Sequence, residues 1–297
     1  MDERINFPHL GIYLEHVGKS IQIGNFSIAY YGLAIALGMA LGIFALTRRA
    51  KESGQSPDDY LDISIITMVM AIIGARIYYV IFSWSEYRSN PLSIFNIREG
   101  GLAIYGGLIA GVAAIYVLSR IKKIPFPRVL DTCVIGVPIG QILGRWGNFF
   151  NREAFGDYTD GLFAMQLPVS AVRADEITPK MWEHAQMIGQ AQFIQVHPTF
   201  LYEGMWNCLV LLVLFLLRNR TKFEGELFLI YLIGYGTGRF FIEMLRTDQL
   251  LIPGTSVPVS MVVSAAAAVV SGCVIIWKHR ALRSACKAPR MQGILNS

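Results

Sequence analysis

Residues 60–83 read YLDISIITMVMAIIGARIYYVIFS. After Asp62 the only charged side chain in the stretch is Arg76. About twenty mostly apolar residues suffice to cross a bilayer as a helix, so this block predicts a transmembrane span. Comparable blocks lie on both sides of it, at 27–47, 101–119, 129–150, 199–217, 225–245 and 257–277. The expectation is an all-α, polytopic membrane protein with seven transmembrane helices. Composition points the same way. Of 297 residues, 54% are hydrophobic and only 16% charged, with a mean hydropathy of +0.45. A soluble domain carries about 25% charged residues, and a soluble fold of this length needs a charged coat that this chain cannot supply.

The basic residues set direction. Arg48, Arg49 and Lys51 follow the first block, Arg120, Lys122, Lys123 and Arg128 the third, and Arg218, Arg220 and Lys222 the fifth. The tail adds Lys278, Arg280, Arg283, Lys287 and Arg290. These outnumber the cations of the alternate loops, among them Arg4, Lys19, Arg88, Arg98, Arg152, Arg173, Lys180 and Arg246. By the positive-inside rule the N-terminus lies outside and the C-terminus in the cytoplasm. The net charge of +5 thus reflects topology, and nucleic acid is not an expected partner. Cys133, Cys208, Cys273 and Cys286 have neither C-x-x-C spacing nor a nearby His pair, so no metal site or disulfide framework is expected. Residues 1–24 mix acidic, basic and apolar positions and lack the pattern of a cleavable leader.

Residues 1–280 read as one seven-helix membrane domain and 281–297 as a cytoplasmic basic tail. Glycines at four-residue spacing recur: Gly38 with Gly42, Gly107 with Gly111, Gly136 with Gly140 and Gly144, and Gly234 with Gly238. Small residues at that spacing let helices approach closely in lipid. The fourth block is the weakest, being interrupted by Pro138, Gln141 and Arg145. Residues 151–198 form a long extracytoplasmic loop without a spanning block, which reads as a lid or substrate-docking arm, or as an inert excursion.

With directions assigned, the polar residues of separate spans converge in depth. Arg76, Arg145, Arg239 and Glu243 fall in the outer parts of outward-running spans, and Tyr31, Tyr105, Glu203 and Ser260 near the starts of inward-running ones. At 1.5 Å per residue, all lie within about 10 Å of the outer hydrocarbon boundary. Ionised groups inside a membrane cost a few kcal/mol or more and usually face the bundle interior or a wet cavity. Singly, Arg76 or Arg239 reads equally well as snorkelling to the headgroups, and Tyr31 as part of an aromatic belt. Three arginines and two carboxylates at one depth are harder to reduce to that. Gly144-Arg145-Trp146-Gly147-Asn148-Phe149-Phe150-Asn151, followed by Glu153 and Gly156, adds amides and small residues beside a guanidinium. Guanidinium binds phosphate through a planar fork, and lipid phosphate is the natural anion at this depth.

That stretch resembles the signature of the prolipoprotein diacylglyceryl transferases. Tyr30-Tyr31-Gly32, Gly74-Ala75-Arg76, Gly100-Gly101 to Gly106-Gly107, His197-Pro198-Thr199-Phe200-Leu201-Tyr202-Glu203, Gly234-Tyr235-Gly236-Thr237-Gly238-Arg239-Phe240 with Glu243 and Arg246, and Ser260 with Ser264 resemble further motifs of the family, in order, from about residue 25 to 270. The resemblance implies transfer of the diacylglyceryl group of phosphatidylglycerol to the lipobox cysteine of a preprolipoprotein. A thioether forms and glycerol phosphate leaves, with no cofactor or metal. It implies a multi-pass protein of the bacterial cytoplasmic membrane with its site toward the extracytoplasmic face. Its partners are phosphatidylglycerol, a preprolipoprotein signal peptide with its lipobox Cys, and membrane lipid.

On that resemblance Tyr105, Arg145 and Arg239 are the catalytic candidates. Tyr31, Arg76, Arg145, Asn148, Asn151, Glu153, Gly156, His197, Glu203, Tyr235 and Glu243 are the substrate-binding ones. The nucleophile belongs to the substrate, so the protein must deprotonate a thiol of pKa near 8.5 and stabilise the leaving phosphate. Some family members carry His where this chain has Tyr105, so the base stays open among Tyr105, Glu203, Glu243, His197 and a thiol whose own pKa is lowered by arginine. The rival reading is an anionic-phospholipid flippase or transporter. Transporters often show internal repeats and midplane sites, and neither is evident here.

Overall fold

The computed structural model describes residues 3–24, 26–96 and 100–287. Arg98, Arg290 and the end of the basic tail from residue 288 lie outside the described residues, as do the side chains of Cys286 and Lys287. The chain divides into two compact units, residues 1–42 with 135–297, and residues 43–134.

Five helices are long and apolar enough to cross a membrane: α1 (Tyr30–Glu52), α2 (Pro57–Phe82), α4 (Ile104–Ile121), α8 (Thr199–Leu217) and α10 (Val259–Lys287). A short α3 (Trp84–Tyr87) follows α2. The fourth apolar block is two helices, α5 (Phe126–Cys133) and α6 (Val137–Asn151), which make a sixth crossing if taken as one broken span. Pro138 explains the break, because it has no N–H to donate and its ring clashes with the carbonyl four residues back. A five-residue α7 (Pro179–Glu183) lies in the stretch after α6. The sixth block is α9 (Glu226–Glu243), which is 18 residues long but carries Glu226, Arg239 and Glu243.

In the unit of residues 43–134, α2 and α4 pack side by side. A Cβ on Gly74 would lie 2.8 Å from the Gly106 carbonyl oxygen. Leu46, Ala50, Tyr60, Ile63, Leu118 and Val129 form its buried core. Asp59 and Asp62 in the first turns of α2 meet Lys122 at the end of α4, at 2.7 and 2.6 Å.

In the other unit, the first half of α1 lies along α6 through the small residues singled out in the sequence. A Cβ on Gly42 would lie 2.9 Å from the Gly136 carbonyl oxygen, and one on Gly38 3.2 Å from the Gly140 Cα. Further along, Tyr31 rests on Gly147, where a Cβ would meet its ring at 2.6 Å.

The chain is not wholly helical. Strands β1 (Ile5–Phe7), β2 (Ile12–Leu14), β5 (Met165–Pro168), β6 (Gln186–Ile188) and β7 (Ala191–Val196) form an antiparallel sheet in the order β2-β1-β5-β7-β6. A separate hairpin of β3 (Ser20–Ile23) and β4 (Phe26–Ala29) leads into α1. The sheet joins the N-terminal segment to the long excursion itself, with Asn6 opposite Gln166 and Met165 opposite Val196. Its buried side joins Ile5, Phe7, Met165, Leu167, Ile194 and Val196 to Phe149 at the end of α6 and Phe200 at the start of α8. A buried amide row, Asn6 to Gln166 at 3.4 Å and Gln166 to Gln195 at 3.2 Å, crosses three of its strands. The 151–198 stretch is therefore ordered against the ends of two helices that carry candidate site residues.

Candidate active site

Helix α8 packs against both α6 and α9, and the three bring two arginine and two glutamate side chains together. Glu203, on the second turn of α8, is 2% exposed. Its Oε1 lies 2.8 Å from Arg145 Nη2 on α6, and its Oε2 lies 3.2 Å from Arg239 Nη1 on α9. Arg239 reaches on to Glu243, one turn along α9, at 2.5 Å. Residues four apart share a helix face, so α9 presents both charges together. A buried carboxylate that bridges two guanidinium groups holds each in a fixed orientation, and taking one partner away leaves an uncompensated buried charge.

Arg145 continues the network toward the end of α6. Its Nη1 donates to Asn148 Oδ1 at 3.2 Å, and Asn148 Nδ2 donates to Glu153 Oε1 at 2.9 Å. The chain reverses here because Arg152 caps α6 in the left-handed region, φ +57°. The reversal lets Glu153 N donate to Asn148 O at 3.1 Å and folds its side chain back on the helix. Arg152 itself is buried and donates to the carbonyls of Phe150, Glu3 and Val17, which ties the N-terminal segment to this turn. Sequence reading placed Arg152 only as an outward-side cation, because the N-terminal carbonyls that it binds are distant in the chain.

One turn from Arg145, Gln141 Nε2 donates to the Tyr231 hydroxyl at 2.8 Å, and Tyr231 stacks on Tyr235 with ring centroids 5.6 Å apart. Asn207, one turn after Glu203, is fully buried, and its amide has no partner among the described residues. Neither Gln141 nor Asn207 stands out as a site residue in the sequence, where Gln141 reads as an interruption of its apolar block and Asn207 as one polar residue within its own. Trp206 donates to Gly234 O at 2.8 Å, which pins α8 to α9. Ser260 is on α10, and its hydroxyl is buried without a partner among the described residues.

Beside this network lies a tight corner. Gly156 N donates to His197 O at 3.0 Å, His197 N to Asp157 O at 3.0 Å and Asp157 N to Leu245 O at 2.9 Å. A Cβ on Gly156 would sit 2.7 Å from Leu245 O and 2.8 Å from His197 Cβ, so this glycine permits a close approach of two backbones. The half-buried His197 ring has Nδ1 3.3 Å from the Tyr202 hydroxyl. Burial pushes its pKa down from 6.5, which Asp157 partly opposes, so the neutral ring is favoured. Arg246 pairs with Asp248 through two contacts at 2.9 and 2.6 Å. Burial pulls the Asp248 carboxyl upward, but the Arg246 contacts outweigh it and the pKa is lowered. Asn151 and Glu153 line a cavity of about 400 Å³ together with Lys19, Arg152, Ser170, Ala171, Val172 and Arg173.

Two candidates belong to the unit of residues 43–134. Buried Arg76 donates to the carbonyls of Ser93, Ile94, Asn96, Gly100 and Gly101 at 2.7–3.1 Å and lies 5.1 Å from the Tyr87 ring. Its guanidinium therefore organises the segment after α3. Tyr105 is half-buried in the first turn of α4.

Long apolar helices, with buried arginines and glutamates meeting between three of them, define a polytopic helical membrane protein built around a guanidinium–carboxylate cluster. The sequence profile of the prolipoprotein diacylglyceryl transferases matches residues 19–277. A protein of Clostridioides difficile (strain 630) named phosphatidylglycerol–prolipoprotein diacylglyceryl transferase is 43% identical over 225 residues, covering 76% of this chain and 81% of that protein. Proteins of the same name from Clostridium botulinum (strain Langeland) and Halalkalibacterium halodurans are 41% identical over 236 residues and 38% over 265. These alignments cover 78% and 88% of this chain, and 86% and 85% of the respective relatives. The chain belongs to the prolipoprotein diacylglyceryl transferase family and is a transferase.

Proposed function

We propose that the chain transfers the diacylglyceryl group of phosphatidylglycerol to the cysteine thiol of a lipobox, in a preprolipoprotein still held by its signal helix. The thiolate sulfur attacks the glyceryl carbon that bears the phosphate, and the S–C bond forms as the C–O bond breaks. The bonding electrons stay on the phosphate oxygen, and the thiol proton passes to a base. The observation that carries this reading is the bridge from Arg145 through Glu203 to Arg239. It supplies two preoriented cations in a region poor in water, where developing phosphate charge is stabilised most strongly. Each guanidinium keeps N–H bonds beyond those used on Glu203, Asn148 and Glu243.

Asn148 and Glu153 brace Arg145 from the outer end, while Tyr235 and Glu243 brace the α9 side. Tyr31, Asn151, Gly156 and His197 shape the surroundings of the substrate headgroup, and Arg76 acts through the segment it holds. Tyr105, which by the family resemblance stands where some members carry histidine, is a candidate for the thiol proton together with Glu203, Glu243 and His197.

The chain crosses the bacterial cytoplasmic membrane seven times, with the N-terminus and the cluster on the extracytoplasmic side. The lysine and arginine distribution supports this direction. Helix α9, the sixth in chain order, brings the count to seven. Its 18 residues give about 27 Å of helix, and its charges are matched, Glu226 with His279 at 2.6 Å and Arg239 with Glu203 and Glu243.

The test is purified protein with phosphatidylglycerol and a lipobox peptide, with the thioether product read by mass spectrometry. Wild type should form product, and Arg145→Lys should lose about 10²- to 10³-fold in kcat/KM, as for loss of one preoriented donor. Transbilayer movement of lipid without product would overturn the reading in favour of a flippase, and a wild-type rate in Arg145→Lys would remove the role of the guanidinium fork.

A further inference from the structure

The cavity beside the end of α6 has no part in the bond-making step above, yet it adjoins the cluster. Its wall carries Lys19, Arg152 and Arg173 with the carboxylate Glu153 and the neutral donors and acceptors of Asn151 and Ser170, while Glu176 pairs with Arg173 and Arg152 is held on main-chain carbonyls. At about 400 Å³ it has room for roughly a dozen waters at about 30 Å³ each, ample for a small polyol phosphate. A continuous polar track leads to it. Arg145 holds Asn148 at 3.2 Å, Asn148 holds Glu153 at 2.9 Å, and Glu153 lies 3.9 Å from Arg173.

We propose that this cavity is the release site for the leaving glycerol phosphate, distinct from the arginine pair that grips the phosphodiester. The proposal rests on the transferase reading. The departing group changes its charge in the reaction. Phosphatidylglycerol presents a phosphodiester with one negative charge. After C–O cleavage the phosphate is a monoester whose second pKa is near 6, so it carries close to two negative charges at neutral pH. Around the reacting bond, Arg145 and Arg239 are offset by Glu203 and Glu243, whereas the cavity and its margin set Lys19, Arg152 and Arg173 against Glu153 and Glu176, so once the bond is broken the added charge of the dianion is held better in the cavity than on the cluster.

The exposed Arg173, braced by Glu176 at 3.2 Å, stands at the wet side of the cavity. Lys19, whose ammonium donates to Ala171 O at 3.3 Å, lies opposite in sequence, at the foot of the β3–β4 hairpin. Asn151, Ser170 and Glu153 suit the glycerol hydroxyls. The product would thus be drawn off the cluster along the Asn148–Glu153 track, which clears the arginines for the next lipid.

Lys19 and Arg173 are both exposed, so Lys19→Ala and Arg173→Ala test charge without opening the core. Inhibition of the full-length enzyme by glycerol 1-phosphate is measured in wild type, each single variant and the double variant, with glycerol and inorganic phosphate as comparison probes. Each single change should raise the inhibition constant of glycerol 1-phosphate about fivefold, as for loss of one solvent-exposed ion pair. The double should raise it further, and the KM for phosphatidylglycerol should move by a smaller factor. Inorganic phosphate should show the same ordering, and glycerol should not inhibit.

An unchanged constant in the double variant overturns the proposal. So does a parallel shift of equal size in the KM for the lipid, because the cavity then reads the diester. Calorimetric titration of glycerol 1-phosphate into the purified protein reports the same ordering without turnover. A wild type that binds the phosphate but makes no thioether would sink the transferase reading alone, and equal binding by wild type and double variant would sink the release site alone.

Discussion

Replacing Glu203 by glutamine keeps its shape and removes the one charge that joins α6 to α9. The carboxylate is 2% exposed and lies 2.8 and 3.2 Å from two guanidinium groups. At an effective dielectric constant near 20, a pair of unit charges at about 4 Å interacts by about 4 kcal/mol, and desolvation offsets much of that. Breaking a buried pair by removing one partner nevertheless costs roughly 3–5 kcal/mol, because the remaining charge is stranded. Here Arg145 would lose its carboxylate and Arg239 would keep only Glu243, which leaves net positive charge. For a chain of this size that free energy corresponds to a fall in Tm of roughly 10 °C, at about 2–4 °C per kcal/mol. Thermal unfolding in detergent, followed by the fluorescence of Trp146 and Trp206 beside the cluster, measures it. Phosphatidylglycerol should raise the Tm of Glu203→Gln more than that of wild type, since the lipid phosphate restores a counter-charge and bound ligand stabilises by mass action. A Tm within a degree of wild type, with no coupling to Arg145→Gln in a double-mutant cycle, would refute the idea that Glu203 holds the guanidiniums in place.

Tyr105→Phe should impair turnover and Tyr105→His should retain it, as judged by thioether formation; full activity in the Phe variant would take Tyr105 out of the proton path. Gly156→Ala should destabilise by about 1–3 kcal/mol through overpacking, because the new methyl meets Leu245 O at 2.7 Å; an unchanged Tm would show that the corner yields. His197 has a folded pKa below its unfolded 6.5. Its contribution is therefore fully present above that value and is lost as pH falls toward the folded pKa, since the unfolded chain binds the proton first. His197→Gln should flatten the acid side of the stability profile between those two pKa values, and an identical profile would exclude His197 as its source.

The spans were legible because a helix in lipid must be long and apolar along its whole length, a demand that residues 60–83 or 199–217 state without reference to any neighbour. Block 199–217 coincides with α8 to the residue. Where a local rule intervened, the boundary moved. Pro138 divided the fourth block at residues 134–136, and α10 ran to Lys287, past the predicted end at 277. The sheet escaped because its strands are three to six residues long and because the pairing that joins its two halves, Asn6 with Gln166, spans some 160 positions. No window on the sequence contains both partners of that pairing, and β5 is buried throughout and shows no alternation.

The site was legible in type more than in wiring. Depth alone placed Arg145, Arg239, Glu203 and Glu243 in one layer, because charges in spans must find each other, and they do so at 2.5–3.2 Å. Depth is one coordinate, however, and the facing of each helix about its axis is another. A lone arginine at Arg76 satisfied the same rule by a different route, on five main-chain carbonyls. That carbonyl cage depends on a turn after α3, and nothing in the spacing of apolar residues encodes such a turn. The same reasoning explains Arg152, whose partners come from residues 3 and 17. Arginine in a membrane protein thus has two stable fates, a carboxylate between helices or a nest of carbonyls at a helix end. Only the first leaves a movable counter-charge that an incoming phosphate can displace, and for that reason the catalytic argument rests on Arg145 and Arg239 and not on every buried guanidinium.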